Sequence, residues 1–129
     1  MKLRLQSNKI IPIILAAGRG SRMGTLTKNK PKSFVKINKK KKLIDNVIEN
    51  FLNFDFKKVV IITGYQSYKF ERFKKVQKIK NNDWQRTNIF GSLICADKLL
   101  SKYSCIISYA DIFYEKEAIQ QLINFKKKG

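Results

Sequence analysis

The chain contains no histidine and only two cysteines, Cys95 and Cys105. Neither thiol stands in a C-x-x-C pair or a Cys/His cluster, which excludes the ligand spacing of a zinc site. Both fall in apolar patterns, so they are expected to be small buried hydrophobes of a reduced, cytoplasmic protein rather than reactive thiols. Negative charge is scarce too: nine Asp plus Glu stand against 28 Lys plus Arg, a formal net charge of +19. Such an imbalance makes a positive field that speeds encounter with polyanions. The basic residues are nearly all lysine, spread from Lys2 to Lys128 among abundant Ile and Asn. A solvated lysine-rich surface is therefore expected over a dedicated nucleic-acid footprint.

Long apolar runs are also missing. The stretch Ile10 to Ala17 is eight residues long, far from the roughly 20 that a membrane helix needs. Behind Lys2, Arg4 and Lys9 it imitates a secretion signal. It contains Pro12, however, and feeds directly into a glycine-rich turn, which fits a buried strand better. Internal repeats and Gly/Ser linkers are absent. What remains is 129 residues with 43% hydrophobic content and nine Phe, enough for one folded domain or part of one.

Periodicity assigns the elements. Ile10 to Leu15 is continuous and β-branched, as in a strand buried on both faces of a parallel sheet. Pro12 cannot donate a ladder hydrogen bond, so it is expected near the strand's start or facing a loop. Lys32 to Ile37 reads as a short extended segment. From Leu43 to Phe54, apolar residues recur every three or four positions, marking one face of a helix. Lys58 to Thr63 is a second buried strand, Tyr68 to Lys75 a short helix, and Val76 to Ile79 an edge strand before an Asn81-Asn82-Asp83 turn. Ile89, Leu93, Ala96, Leu99 and Leu100 keep helical spacing behind a Thr87 or Asn88 N-cap. Ser104 to Tyr109 forms a further strand and Glu115 to Phe125 a last helix. This alternation predicts βαβ units and an α/β fold. In such sheets ligands bind at the carboxyl ends of strands, where the loop after Leu15 and the carboxylate of Asp111 would meet.

That loop carries the chemistry. Residues 15 to 32 read L-A-A-G-R-G-S-R-M-G-T-L-T-K-N-K-P-K. Gly18 and Gly20 lack Cβ atoms, so the backbone can take positive φ and press N–H groups on a ligand, while Arg22, Lys28, Lys30 and Lys32 supply charge for phosphoryl oxygens. The P-loop spacing is absent, since neither glycine is followed by Lys-Ser or Lys-Thr at the required distance. Met23 stands where the dinucleotide fingerprint has its third small residue.

The pattern L-A-A-G-x-G-[ST]-R-[ML], followed by Thr27 and Pro31-Lys32, resembles the signature of the nucleotidyltransferases that include sugar-1-phosphate nucleotidylyltransferases and phosphocholine cytidylyltransferases. V-I-I-T-G-Y at Val60 to Tyr65, T-N-I-F-G-S-L at Thr87 to Leu93 and S-Y-A-D-I-F at Ser108 to Phe113 extend the resemblance over about residues 10 to 115. The second and third of these look like the choline-phosphate branch, so CTP is the favoured nucleotide.

The resemblance implies a Rossmann-like, mostly parallel sheet flanked by helices, of the nucleotide-diphospho-sugar transferase type. It also implies transfer of NMP from an NTP to a phosphorylated acceptor such as phosphocholine or a sugar 1-phosphate, releasing pyrophosphate. Charge must then be tolerated on both flanks of the α-phosphorus. Arg22 would hold the β- and γ-phosphates, and Lys32 would neutralise the α-phosphate and the incoming phosphate. Backbone groups of Leu15, Ala16, Ala17 and Gly18 would contact base and ribose, and Gly20 and Ser21 would follow the phosphates. Asp111 would bind Mg²⁺; its plain alternative is a helix N-cap. Asn88 and Ser92 are candidates for base or ribose hydrogen bonding, or simple caps. Tyr65 and Trp84 are candidates for stacking, with packing the more ordinary role. The family's second metal-binding carboxylate and most of its acceptor pocket have no match here. Residues 1–129 are therefore expected to form a single domain, the N-terminal nucleotide-binding portion of such an enzyme, completed by a missing C-terminal half or a partner chain. A nucleotide-binding module without independent catalysis is the alternative, and a basic nucleic-acid binder the third reading.

Overall fold

The protein's structure, a computed structural model, describes residues 10–19 and 29–128. Strands β1 (Ile10–Ala16), β2 (Val60–Thr63), β3 (Gln77–Lys80) and β4 (Ser104–Tyr109) form one parallel sheet in the order β3-β2-β1-β4. Between and after them lie helices α1 (Leu43–Leu52), α2 (Ile89–Ile94), α3 (Asp97–Lys102) and α4 (Lys116–Lys128). The expected α/β, Rossmann-like architecture is thus observed. Among the described residues, no helix is long and apolar enough to cross a membrane.

The run of apolar residues in β1 is continuous because helices cover both faces of the sheet, and all seven of its residues are buried. Successive side chains point to opposite faces. Ile14 and Ala16, with Ile61, meet Ile44, Val47 and Phe51 of α1 and Ile119 and Ile123 of α4. Ile11, Ile13 and Leu15, with Val60 and Ile62, meet Ala96 and the partly buried Leu93 and Leu99. Each such aliphatic side chain removed from water contributes about 1.5–3 kcal/mol.

Pro12 sits third in the central strand, near its start as expected, and the ladder explains why it is tolerated. The Leu15 carbonyl accepts from Ala110 N–H at 3.1 Å, on the β4 side. Backbone polar groups alternate in direction along a strand, so the Pro12 nitrogen faces β2. Pairing with β2 begins only at Ile13↔Val60. The missing donor therefore lies just before the ladder on that side, while Pro12 stays in register with Ile106 on the other.

Three local expectations are corrected. Lys32 to Ile37 does not begin as an extended segment: Lys32–Phe34 forms a 3-10 turn, closed by Phe34 N–H to the Pro31 carbonyl at 2.9 Å and Val35 N–H to the Lys32 carbonyl at 3.2 Å. Buried Phe34 holds it, meeting Phe70 edge to face at 5.0 Å between ring centroids. In place of a helix over Tyr68 to Lys75, a 3-10 turn spans Ser67–Phe70. Only Phe70 is fully buried there while Tyr68 is exposed, so no apolar stripe extends past one turn. The helical spacing from Ile89 to Leu100 is divided between α2 and α3. At the break, Cys95 and Ala96 N–H groups bond the carbonyls of Ser92 and Leu93, three residues back. That tighter turn seats Ala96 flush on the sheet and leaves Ile89 and Leu100 outside the core.

The cysteines are half-buried rather than fully buried, and both are free thiols packed beside the second apolar cluster. Burial raises the pKa of the Cys105 thiol, which keeps it protonated and unreactive.

The central position of β1 sets a stability prediction. Ile14→Ala, in the middle of the sheet at 0% exposure, should lower unfolding free energy by about 2–5 kcal/mol in urea titration. Leu122→Ala, on the outer side of α4, should stay within about 0.5 kcal/mol of the parent. Equal losses for the two would contradict the core described here.

Candidate functional site

A cleft of about 560 Å³ opens at the carboxyl edge of the sheet, between the ends of β1 and β4. These strands flank the point at which the strand order reverses, where α/β sheets leave room for a ligand. Leu15, Ala16, Ala17 and Gly18 form one side of the cleft, and Ala110 and Asp111 continue it from β4. Gly18 does not use the left-handed region. A Cβ built on it would meet no atom within 4 Å, so what the glycine leaves free is space for a ligand.

Lys32 enters the cleft from the 3-10 turn. Pro31 precedes it in extended conformation, with φ −60° and ψ 151°, and Phe34 behind it is locked in the core, so the lysine's backbone is held from both sides. Asp111 comes from the loop after β4. That loop is pinned at Ala110 by the bond to Leu15, and at Tyr114 by two more contacts. Asn50 Nδ2 donates to the Tyr114 carbonyl at 2.6 Å, and the Tyr114 hydroxyl lies 2.7 Å from Ser108 Oγ. Burial raises the Tyr114 phenol pKa, with the Ser108 bond acting in the opposite direction.

Between these two supports, Lys32 Nζ and Asp111 Oδ2 stand 2.6 Å apart, their side chains 41% and 22% exposed. An ion pair this open to water contributes about 0–1 kcal/mol. A ligand that offers Lys32 an anion and Asp111 a cation can therefore separate them at small cost. Asp111 is not a helix N-cap, since α4 begins at Lys116. The described residues hold no group of three or more His, Cys, Asp or Glu that could cage a metal. A single carboxylate suits a hard cation that keeps its waters and shares phosphate oxygens, as Mg²⁺ does, better than a metal needing a protein cage.

The far wall belongs to α2 and the loop before it. Asn88 is the N-cap: its Oδ1 accepts from Phe90 N–H at 3.0 Å and Gly91 N–H at 3.4 Å. Among the described residues its Nδ2 donates to nothing, and the residue lines the cleft. Ser92 is buried, and its Oγ accepts from Asn81 Nδ2 at 3.2 Å. Asn81 also donates to Thr87 Oγ1 at 2.9 Å, accepts from Asp83 N–H at 3.0 Å, and bonds the Thr63 carbonyl through its own N–H at 2.7 Å. It thereby ties the end of β2 to the start of α2. As a turn residue in sequence, it gave no sign of this role.

Of the residues singled out from sequence, Leu15, Ala16, Ala17, Gly18, Lys32, Asn88, Ser92 and Asp111 come together in this one cleft. Gly20, Ser21 and Arg22, with Lys28, lie outside the described residues. Trp84 lines the cleft and packs on Tyr65 at 5.2 Å between centroids; Tyr65 stands behind it, with the Arg19 guanidinium 5.7 Å over its ring. Ser33, Thr87, Ile89 and Tyr109 also line the cleft and were not singled out as site residues. Thr87 and Ile89 lie in the T-N-I-F-G-S-L segment and Tyr109 in S-Y-A-D-I-F, so only Ser33 lacked any motif signal.

Residues 12–129 match the MobA-like NTP transferase domain. The chain is 35% identical, over 125 residues, to the CTP:phosphoglutamine cytidylyltransferase of Campylobacter jejuni, covering 90% of this chain and 49% of that protein. It is 29% identical over 119 residues to the 2-aminoethylphosphonate cytidylyltransferase of Lancefieldella rimae, covering 89% and 48%. Among solved structures, the CTP:phosphocholine cytidylyltransferase of Streptococcus pneumoniae superposes with a TM-score of 0.73 at 30% identity, over 84% of this chain and 50% of that one. The chain thus spans about half the length of these relatives.

Gly64 offers a test of the cleft wall. A Cβ there would lie 2.6 Å from Trp84 Cβ and 2.9 Å from the Ala17 carbonyl oxygen. Gly64→Ala should displace Trp84, the single tryptophan, changing its fluorescence and lowering stability by about 1–3 kcal/mol. An unchanged emission spectrum and melting temperature would show that Trp84 does not pack here.

Proposed function

We propose that this chain, which belongs to the MobA-like NTP transferase domain family, binds CTP in the β1/β4 cleft and serves transfer of its cytidylyl group to a phosphorylated acceptor. The observation that carries this reading is the convergence of the Leu15–Gly18 segment, Lys32 and Asp111 on one cleft at the point where the strand order reverses. The three relatives described above are all cytidylyltransferases by name, which favours CTP among nucleotides. The acceptor is a small phosphorylated compound, with phosphocholine and sugar 1-phosphates the leading classes.

In the reaction, an acceptor phosphate oxygen bonds to the α-phosphorus as the bond from that phosphorus to the bridging oxygen breaks, and pyrophosphate leaves with the electron pair. Lys32, released from Asp111, neutralises the α-phosphate and the incoming phosphate, lowering the repulsion between two anions. Arg22 takes the pyrophosphate side, its planar fork suited to phosphoryl oxygens. Backbone polar groups from Leu15 to Gly18 orient the nucleoside, and Asn88 Nδ2 and Ser92 meet the base or ribose. Asp111 would hold Mg²⁺, which would supply further charge neutralisation on the phosphates. A cytoplasmic setting, in which Cys95 and Cys105 remain thiols, belongs to the same reading.

Because the chain spans about half of its relatives, a second reading is a nucleotide-binding portion that does not turn over by itself. Calorimetry with CTP and Mg²⁺, paired with pyrophosphate release in the presence of phosphocholine or glucose 1-phosphate, separates the two. Binding with release supports transfer by this chain; binding alone supports the second reading. Failure of every nucleotide to bind would overturn both. Salt-sensitive duplex binding indifferent to Lys32→Ala would point to a nucleic-acid binder instead.

Two variants probe the charges. Lys32→Ala should weaken CTP binding by about 10-fold or more, as expected for loss of a charge-assisted contact. Asp111→Asn should strengthen CTP binding without Mg²⁺, because it removes a carboxylate that repels phosphate and competes for Lys32, and should remove most of the gain that Mg²⁺ confers. A Mg²⁺ effect that survives Asp111→Asn would place the ion elsewhere.

A further inference from the structure

Ser33 follows Lys32 in the 3-10 turn, lines the cleft, and is only 3% exposed. Its Oγ is fully buried and, among the described residues, has no hydrogen-bond partner. A hydroxyl withdrawn from water without a partner is destabilising, and native structures keep few such groups, each of which calls for an explanation such as a bound water, an ion or a functional role. Two described side chains share this condition, Ser33 and Gln66, and of these only Ser33 lines the cleft.

The backbone around Ser33 cannot relieve the deficit by moving. Pro31 fixes the approach, the N–H groups of Phe34 and Val35 are committed to the turn, and the Phe34 ring is held in the core. To reach a ligand in the cleft, the hydroxyl would turn about its one side-chain torsion. The neighbouring cation, Lys32, already faces Asp111 across 2.6 Å. A group that satisfies both neighbours must be anionic and rich in acceptor oxygens, which describes a phosphoryl group.

We propose that Ser33 is a phosphoryl-binding residue of the cleft, donating its hydroxyl to an oxygen of a phosphate held by Lys32. The proposal rests on the reading of the cleft as a nucleotidyl-transfer site and assigns to it a ligand that the glycine-loop pattern did not contain. The phosphate belongs either to the nucleotide or to the acceptor, and the two sources differ in which ligand feels the loss of the hydroxyl. Buried without a partner in the free protein, the same hydroxyl lowers stability there and raises it in the complex.

The test compares wild type with Ser33→Ala in the full chain, by calorimetry and thermal melting, each with CTP plus Mg²⁺ and separately with phosphocholine. Free Ser33→Ala should melt at or above the wild-type temperature, because it sheds an orphan hydroxyl. Its affinity should fall by about 10- to 100-fold, the loss of one hydrogen bond to a charged group, and the ligand-induced melting shift should shrink accordingly. A loss confined to CTP assigns the phosphate to the nucleotide; one confined to phosphocholine assigns it to the acceptor. Undiminished affinity for both ligands would overturn the proposal. So would a free variant that melts lower or fails to fold, since the hydroxyl would then be structural. If wild type binds neither ligand, the transfer-site reading falls and takes this proposal with it.

Discussion

Burial of β1 on both faces is the constraint on which the rest of this structure depends. The strand has neighbours on each side and helices above and below, so each of its seven residues lies in the core. Apolar side chains must then occupy successive positions, and the chain can leave the sheet only at its carboxyl end. There it meets the gap between β1 and β4, where the strand order reverses and the cleft opens. The cleft is a geometric result of that packing, and small residues from Ala16 to Gly18 keep it open.

The charges of the cleft are placed by contacts behind them rather than by each other. Lys32 is carried by a turn whose fixed point is Phe34 against Phe70, and Asp111 by a loop whose fixed point is Tyr114 against Ser108 and Asn50. Those contacts are buried or half-buried, so they persist whether or not the two charges touch. The ion pair, being weak in water, is the adjustable part of an otherwise rigid frame. A site built this way can exchange an internal partner for a ligand without repacking its supports, which is what preorganisation requires.

How much of this could be read in the sequence follows from the same physics. β1, β2, β4 and α1 were legible because burial imposes composition and period directly on them. The gathering of Lys32, Asp111 and the Leu15–Gly18 segment was legible through motif spacing and the rule that ligands sit at strand ends. The turn at Lys32–Phe34 and the break at Ala96 were not, because choosing a bond to the third rather than the fourth residue back leaves little mark on apolar spacing. Ser33 and Asn81 were invisible for a different reason. Whether a hydroxyl or an amide is buried and satisfied depends on neighbours far off in sequence, such as Thr63 and Ser92 for Asn81. The free edge of the reading is Arg22, with Gly20 and Ser21, which stands outside the described residues.

The excess of positive charge takes on a more specific meaning beside this cleft. A field from +19 net charges attracts any polyanion, which serves encounter and gives no discrimination. Discrimination has to come from fixed groups that count charges and oxygens at short range. In the proposed complex Lys32 and the Ser33 hydroxyl would meet anionic oxygens, Asp111 would repel them unless a cation intervened, and Asn88 and Ser92 would offer polar atoms on the opposite wall. In a chain with nine acidic residues, a carboxylate facing a lysine that binds phosphate would work as a filter: the Coulomb term that repels a bare phosphate would become attractive once a divalent ion arrived with it. On the proposed function the diffuse lysine surface would bring anions near, and the carboxylate of Asp111 would decide which form of them stays.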